Sequence, residues 1–250
     1  MAGHSKWANR VHRKGRQDRK RAKLFNKLSR RIISAAREGG GNPDLNHKLR
    51  AAIDQAQAAD MPNENIEYAI KRGTGEIEGI SYESARYEGY GPAGIALMID
   101  VLTDNPNRTV AELRNLLKES GASLGSPGCV QWMFERKGVI VVPRDGADEE
   151  ELFSVALEAG AEDILDDDEE VWEVRTEPED YQRVYEAFDA AGIPMERAEV
   201  TMVPTTNTPV PDEEAAKVLR LLDGLDEHDD VQNVFSNFEI SDEAMSTIET

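Results

Sequence analysis

Positive charge is concentrated near the start of this chain, in the stretch from Lys6 to Arg37. This stretch contains thirteen lysine and arginine residues and a single acid, Asp18, although the whole chain of 250 residues has a formal net charge of −20. Residues 1–72 have a net charge of +10, so the remainder has a net charge of −30. Lysine and arginine attract phosphate groups, and the stretch therefore predicts an element that binds a nucleic-acid backbone.

Two parts of this stretch are predicted to contact nucleic acid differently. Residues 1–15 show no periodicity, which is typical of an arm that orders on its partner, and Trp7 is suited to stacking on a base. From residue 16 onward, apolar and basic residues separate onto opposite sides of a helix, so the apolar side can pack while the basic side stays free. The predicted contacts in this stretch are Lys6, Trp7, Arg10, Arg13, Lys14, Arg16, Arg19, Lys20, Lys23, Lys27 and Arg30.

One further phosphate contact is predicted outside this stretch, at Arg108. It ends the loop Asp104–Arg108 and lies just before or within the first turn of a predicted helix, where N–H groups carry partial positive charge. Arg108 and these N–H groups together form a candidate phosphate site. The alternative is an ion pair between Arg108 and an acid of the chain itself.

The sequence shows no arrangement typical of catalysis or metal binding. The histidines lack metal-ligand spacing, and Cys129, the single cysteine, is interpreted as a small buried residue rather than a nucleophile. The Gly89–Gly94 loop lacks the lysine of a P-loop, and the acidic run Asp166–Glu170 lacks EF-hand spacing, so both are interpreted as turns. We therefore predict no enzymatic activity, cofactor, metal or small-molecule substrate.

The apolar segments are all too short for a membrane span, since none reaches the roughly 18 residues that one needs. A secretory signal is also not indicated, because no apolar run follows the basic start. A single cysteine favours a reducing compartment. We expect a bacterial cytoplasmic protein without a membrane partner; the arginine-rich start leaves a mitochondrial presequence, and thus an organellar matrix, as the alternative.

The periodicity divides the chain into helical and mixed parts. Residues 1–76 are predicted to form an all-helical basic domain, in which Asn42 caps the second helix, Leu45 belongs to its apolar stripe and Gly73 ends the third. A mixed part then begins with two strands, Tyr82–Glu88 and Ile95–Leu102. Its remaining predicted elements are a helix around 110–117, a strand at 130–134, a helix at 212–222 and a strand at 231–238.

Residues 138–205 show the element order βαββαβ, which is typical of a ferredoxin-like unit. The strand at 231–238 needs a sheet, and the nearest one is formed by the segment before this unit. We therefore predict an α+β protein: an N-terminal three-helix module followed by two α/β-sandwich (ferredoxin-like) domains, the third inserted into the second. The predicted domains are 1–76, 77–137 together with 206–250, and 138–205.

Several sequence blocks together resemble the YebC family, which includes the mitochondrial translational activator of cytochrome c oxidase subunit I. The opening residues Met1–Trp7 are similar to the start of that family almost letter for letter. The other similar blocks are Arg50–Ala52 with Met61–Pro62, Tyr87–Pro92, Asn107–Glu112 with Asp104–Asn105, Phe134–Gly138 and Ala156–Asp163. Pro106 and Cys129 depart from the family pattern, which has a basic residue and a small hydroxyl residue there.

The resemblance implies three domains and a non-enzymatic regulator of gene expression. It implies one of two mechanisms: binding near the ribosomal peptidyl-transferase centre, which eases stalling at sequences such as proline runs, or binding double-stranded DNA as a transcriptional regulator. The acidic body suits a defined, shaped site better than long duplex, so we favour ribosomal RNA and the ribosome as partners. A protein-interaction scaffold that uses its acidic domains is a further alternative.

Overall fold

The chain begins with a short strand and three helices. The computed structural model describes residues 2–3, 18–79, 81–166, 168, 170–241 and 244–245. Strand β1 (Ala2–Gly3) is followed by the helices α1 (Asp18–Gly39), α2 (His47–Ala58) and α3 (Asn63–Thr74), which pack together and form the helical unit. The apolar face of α1 packs against the other two helices because Leu28, Ile32 and Ala36 recur on one side.

The second helix begins later than the sequence analysis predicts. Asn46, not Asn42, is the N-cap, and its side chain accepts a hydrogen bond from the N–H of Leu49 at 3.1 Å. Asn42 instead accepts from the N–H of Asp44 at 2.9 Å, which stabilises a turn before the helix. Leu45 therefore lies outside the apolar stripe and is 81% exposed. Either asparagine has cap chemistry, but only Asn46 also donates to the Ala35 carbonyl of the packed α1.

The third helix continues one residue past Gly73, and Gly75, with φ of 82°, provides the left-handed cap. Gly73 has a packing role instead. A Cβ atom added to it would lie 2.6 Å from both the Ile33 carbonyl oxygen and the Ala36 Cβ. Glycine thus lets α3 approach the backbone of α1 directly.

The central unit begins with a hairpin of β2 (Glu83–Tyr90) and β3 (Ala96–Thr103), close to the predicted strands. The Gly89–Gly94 loop is the predicted hairpin turn, in which Gly91 N–H donates to the Ile95 carbonyl at 2.8 Å. Helix α4 (Pro106–Glu119) and the short strand β4 (Ser123–Leu124), paired with β2, follow.

The next elements form the inserted unit. They are β5 (Phe134–Pro143), α5 (Glu149–Ala159), β6 (Asp163–Leu165), β7 (Val171–Thr176), α6 (Tyr181–Ala191) and β8 (Arg197–Pro204). The sheet order is β6-β7-β5-β8 and all its pairings are antiparallel, as the βαββαβ pattern predicts. The strand predicted at 130–134 is wrong, because Gln131–Met133 form a short helical turn and β5 begins at Phe134. The strand predicted to open the inserted unit is present within β5, which continues to Pro143. Gly138 does not break it but makes room for Tyr181, whose Cβ would lie 2.8 Å from an added Cβ.

The chain then returns to the central unit. Strand β9 (Thr208–Pro209) lies in the predicted linker, and α7 (Asp212–Asp226), β10 (Val231–Ser236) and β11 (Phe238–Ile240) follow. Strand β10 pairs antiparallel with β3, which confirms that the last predicted strand joins the sheet of the earlier segment. The central sheet has the order β10-β3-β2-β4, and a smaller sheet has the order β1-β11-β9.

The central sheet uses its two faces differently. Alternate residues of β3, including Leu97 and Ile99, pack against α4 and α7 in the main core. On the opposite face Ala96 and Met98 join Phe134 and Phe235, while Asp100 lines a cleft next to the helical unit. The predicted fold class is confirmed: an α+β chain with an N-terminal three-helix module and two α/β-sandwich (ferredoxin-like) units. The domain boundaries stay a prediction.

Candidate nucleic-acid interface

The predicted nucleic-acid contacts fall into three groups. Arg19 and Lys20 lie near the beginning of α1, and Lys23, Lys27 and Arg30 follow in the same helix. Arg108 lies in the first turn of α4. The others lie outside the described residues: Lys6, Trp7, Arg10, Arg13, Lys14 and Arg16.

Lys23 and Lys27 of α1 face the end of α7 and the loop that leads to β10. Lys23 Nζ donates to the carbonyl oxygen of Glu227 at 3.1 Å. Lys27 Nζ donates to the carbonyl oxygen of Asp226 at 2.6 Å and lies 3.2 Å from its carboxylate Oδ1. The prediction that the basic side of α1 stays free is therefore wrong for this part of the helix, because the chain's own oxygens already contact it.

Arg30 connects α1 to the central sheet. Its NH1 group lies 2.6 Å from Asp230 Oδ1 and donates to the carbonyl oxygen of Asp229 at 2.8 Å. The guanidinium also lies over the Tyr82 ring, 5.3 Å from its centroid. Arg30 is thus held from several sides at the boundary between the helical and central units.

Arg31, which the sequence analysis did not select, extends the same contact. Its guanidinium donates to Gln232 Oε1 at 2.9 Å, to Asn233 Oδ1 at 2.9 Å and to Gln55 Oε1 at 3.0 Å. All of these acceptors are neutral, and burial lowers the pKa of Arg31. We call the contacts from Lys23, Lys27, Arg30 and Arg31 to residues 226–233 the α1 clasp.

Arg108 forms the ion pair that was the alternative to phosphate binding. Its NH2 group lies 2.8 Å from Asp230 Oδ2 and 2.9 Å from Asp104 Oδ1. The hydrogen bond to Asp230, followed by that to Asp104, raises the pKa of Arg108. An anion does lie beside the first turn of α4, but it is a carboxylate of the chain, and a phosphate contact at Arg108 stays a prediction.

Asp230 is the centre of this network. Its side chain is 2% exposed, and its Oδ2 accepts hydrogen bonds from Thr109 Oγ1 at 2.6 Å and Thr103 Oγ1 at 3.1 Å. Burial opposes the charge, but the bonds from Thr109, Arg108 and Arg30 outweigh it and hold the pKa of Asp230 at about 2. The carboxylate is therefore ionised at neutral pH and joins α1, β3 and α4.

Three potential metal ligands meet at the same place. One ligand atom each from Glu112, His228 and Asp230 lies within 4.8 Å of the other two. Arg108 already contacts both carboxylates, at 2.8 Å from Asp230 and 3.8 Å from Glu112. The guanidinium supplies the positive charge that a metal ion would bring, so we interpret this group as part of the ion-pair network.

The single cysteine shows no activation as a nucleophile. Burial, followed by the charge of Glu88, raises the pKa of Cys129. A nucleophilic cysteine needs the opposite shift, because the thiolate is the reactive form. Cys129 is half-buried rather than buried as the sequence analysis predicts, and its raised pKa gives no support to a nucleophilic role.

A cleft of about 690 Å³ separates the helical unit from the central sheet. Four of its charged side chains form ion pairs: Lys48 Nζ lies 2.6 Å from Glu38 Oε2, and Arg86 Nε lies 2.6 Å from Asp100 Oδ1. The fifth, Arg31, donates to the neutral acceptors of the α1 clasp. The described residues that line the cleft therefore carry charges of both signs and include no group of like charges that would bind an anion or a cation. We assign it no separate function.

The sequence contained a signal for the α1 clasp. Residues 226–230 form an acidic run that complements the basic side of α1. The sequence distance of about 200 residues between partners such as Arg30 and Asp230 hid this match, since spacing rules apply only within one element.

Among the described residues, no helix has the length and apolarity that crossing a membrane requires.

Comparisons with known proteins agree with this architecture. Residues 5–76 match the family model described as the TACO1/YebC protein N-terminal domain, and residues 82–238 match the TACO1/YebC second and third domain. A relative from Persephonella marina is 54% identical over 249 residues, which are 99% of this chain and 100% of that protein. One from Natranaerobius thermophilus is 51% identical over 250 residues, with 99% and 100% covered. Both are named probable transcriptional regulatory proteins.

A solved structure is also similar. The crystal structure of a conserved hypothetical protein from Aquifex aeolicus aligns with a TM-score of 0.80 at 49% identity, covering 90% of this chain and 93% of that one. Two family models together span the helical, central and inserted units, and the relatives align over nearly their full length. This chain therefore belongs to the TACO1/YebC family.

Proposed function

We propose that this protein is a regulator of gene expression that binds nucleic acid through its basic N-terminal segment and catalyses no reaction on it. One observation carries the proposal: residues 1–72 have a net charge of +10 and the remainder −30. A phosphate backbone is attracted by the first part and repelled by the second, so binding is confined and oriented. The relatives named probable transcriptional regulatory proteins support the regulatory role.

The α1 clasp indicates which cations are available to phosphate. Eight of the thirteen basic residues between Lys6 and Arg37 precede Lys23, which is the first member of the clasp among the described side chains. Oxygens of the chain already accept hydrogen bonds from Lys23, Lys27, Arg30 and Arg108, so these residues have fewer donors left for a phosphate. We therefore assign the main contacts to Lys6, Arg10, Arg13, Lys14, Arg16, Arg19 and Lys20, with Trp7 as a stacking residue.

We further propose that the target is ribosomal RNA, and that the protein eases stalling of the ribosome, for example at proline runs. The acidic central and inserted units support this choice, because they repel long duplex tracts and are compatible with one shaped site. Binding to double-stranded DNA as a transcriptional regulator is the second candidate, and the names of the relatives favour it.

The first test measures the salt dependence of nucleic-acid affinity by fluorescence anisotropy. If about six phosphates are contacted, the logarithm of the affinity falls with the logarithm of salt concentration at a slope of about −4 to −5. Changing Arg13, Arg16 and Lys20 together to glutamine should reduce that slope by about 2 to 3 and weaken binding.

The matched control removes three cations elsewhere, with Arg114, Lys118 and Lys217 changed to glutamine. These are exposed on α4 and α7, and the change in net charge is the same. Equal losses in both variants, or a slope near zero for the parent, would contradict the proposal. Sedimentation then separates the two targets: co-migration with ribosomes at physiological salt supports ribosomal RNA. Its absence, combined with sequence-specific duplex protection, supports the DNA-binding candidate.

A further inference from the structure

Two exposed aromatic side chains lie together at the end of the central sheet, away from the α1 clasp. Trp132, in the short turn Gln131–Met133, is 73% exposed, and Tyr90, the last residue of β2, is 42% exposed. Trp132 Nε1 and Tyr90 Oη both donate a hydrogen bond to the Cys129 carbonyl oxygen, at 3.0 and 3.1 Å. The two side chains thus share one hydrogen-bond acceptor, and we call them the aromatic pair.

A buried carboxylate holds the loop that carries this carbonyl. Glu88, 6% exposed, accepts hydrogen bonds from the N–H groups of Gly128 at 2.7 Å, Val130 at 2.8 Å and Gln131 at 2.8 Å. Burial opposes its charge, but these three bonds outweigh it and lower the pKa of Glu88. A buried charge with three backbone partners fixes the loop, and the loop in turn fixes the aromatic pair.

The surroundings of the loop favour a rigid platform over a mobile patch. Val130 and Phe134, on either side of Trp132, are buried in a cluster with Met98 and Phe235. These buried neighbours fix the main chain on both sides of Trp132, while the Trp132 side chain itself remains largely exposed to solvent. The main-chain and side-chain bonds therefore orient an apolar surface that the described part of the chain does not cover.

We propose that the aromatic pair stacks on an unpaired nucleobase of the bound nucleic acid. This inference rests on the proposed function and specifies it, because a base is available for stacking only in a single-stranded or looped segment. Stacking needs no cation, so it can operate on an acidic unit that repels phosphate. The basic segment would hold the backbone while Trp132 and Tyr90 contact the face of one base.

The hydrogen bonds also distinguish a base from a proline-rich peptide. Aromatic grooves that bind polyproline segments need donors for the carbonyl groups of the ligand as well as ring faces. Here the donors of Trp132 and Tyr90 are both directed to Cys129, so the ring faces are what remain for a ligand. A nucleobase needs only a ring face, which is why we favour it.

The experiment uses the full chain with Trp7 and Trp172 changed to phenylalanine, which keeps an aromatic ring at the proposed stacking position Trp7 and leaves Trp132 as the single tryptophan. Fluorescence anisotropy with labelled RNA first checks that this variant binds as the parent does. The probes are a short single-stranded polyadenylate RNA and the same strand paired with polyuridylate. We expect single-stranded RNA to quench the emission of Trp132 and the duplex to leave it nearly unchanged. In the otherwise unmodified chain, Trp132→Ala should weaken single-strand affinity about 5- to 150-fold, the range that loss of one stacked base predicts.

Two further variants separate stacking from a structural role. Trp132→Phe removes the Nε1 donor but keeps a ring, so it should retain most of the affinity that Trp132→Ala loses. Leu157→Ala, at a side chain that is 62% exposed on α5, is the control for loss of an exposed apolar group and should have no effect. Circular dichroism should show the same helix content in each variant.

The possible failures are distinguishable. If the parent binds RNA but Trp132→Ala binds it equally well, the inference is wrong and the proposed function stands. If a proline-rich peptide quenches Trp132 while RNA does not, the platform takes a peptide and the inference is also wrong. If the parent binds neither single-stranded nor duplex nucleic acid, the proposed function and the inference fail together.

Discussion

At the scale of single residues, Asp230 shows how a buried charge is stabilised. Its carboxylate contacts the guanidinium groups of Arg30 and Arg108 and the hydroxyl groups of Thr103 and Thr109. A buried ion pair often adds little net stability, but removal of one partner leaves the others buried without compensation. The contribution of Asp230 is therefore best measured as the cost of breaking the network.

This network predicts a specific pH dependence. The pKa of Asp230 is lowered from 3.8 to about 2, so its contribution to stability is fully present above the unfolded pKa and is lost as pH falls toward the folded pKa. A pKa shift of this size corresponds to a contribution of about 2 kcal/mol to the free energy of unfolding. Asp230→Asn should lower the free energy of unfolding at pH 7 by about 2–3 kcal/mol and reduce its loss between about pH 4 and pH 2.

Urea unfolding at a series of pH values measures both effects. Asp145→Asn, at an exposed carboxylate of the inserted unit, is the control and should change the free energy of unfolding little. If Asp230→Asn gave the same acid-induced loss as the parent, other groups would be responsible for it.

At the scale of elements, close packing between helices decides the shape of the helical unit. Gly73 of α3 faces Ile33 and Ala36 of α1, where an added Cβ would approach to 2.6 Å. Gly224 of α7 also lies in a helix, but its added Cβ would be 3.6 Å from Leu116, an ordinary van der Waals distance. Of these two helical glycines, only Gly73 therefore has a packing role.

Alanine substitutions at these two glycines should have opposite effects. Gly224→Ala should stabilise the protein by about 0.5–1 kcal/mol through higher helix propensity. Gly73→Ala gains the same propensity but overpacks the contact with α1, which costs about 1–3 kcal/mol, so we expect net destabilisation. Thermal and urea unfolding of the two variants provide the comparison, and stabilisation by both would show that α1 and α3 adjust without cost.

At the scale of the whole molecule, the α1 clasp joins a basic unit to an acidic one. Lys27 and Asp226 are the peripheral pair of this contact, with side chains 14% and 44% exposed. Arg30 and Asp230 form the buried pair, 19% and 2% exposed. Opposite charges across this boundary hold the helical unit on the central sheet, and salt screens the peripheral pair more than the buried one.

A charge reversal tests whether the peripheral pair contributes to docking. Lys27→Glu should place two acids together and weaken the contact, and adding Asp226→Lys should restore it, with a coupling of about 0.5–1 kcal/mol. Hydrogen exchange of the β10 amides reports the docking, and exchange in α5 of the inserted unit is the internal control. If the double variant docks the helical unit as weakly as the single variant does, the hydrogen bond from Lys27 to the Asp226 carbonyl oxygen contributes more to docking than the ion pair.

Local patterns in the sequence were sufficient for much of this protein. Hydrophobic periodicity and turn residues predicted the three helices, the β2–β3 hairpin and the βαββαβ order of the inserted unit, because these depend on contacts between near neighbours. The errors in the bounds of elements were also local. Asn42 and Asn46 have the same cap chemistry, and β5 was predicted in two parts because the polar residues 135–138 interrupt its apolar pattern.

The charge partition was likewise evident from composition, since it needs no coordinates. The partners of the cations were not: Arg30, Arg31 and Arg108 meet residues that are about 120 to 200 positions away. Only the tertiary structure showed that these cations contact oxygens of the same chain, and that the Cys129 carbonyl joins Trp132 and Tyr90. Charge along a chain is a property of its residues, whereas the neutralisation of a charge depends on which distant segments the fold brings within hydrogen-bonding distance.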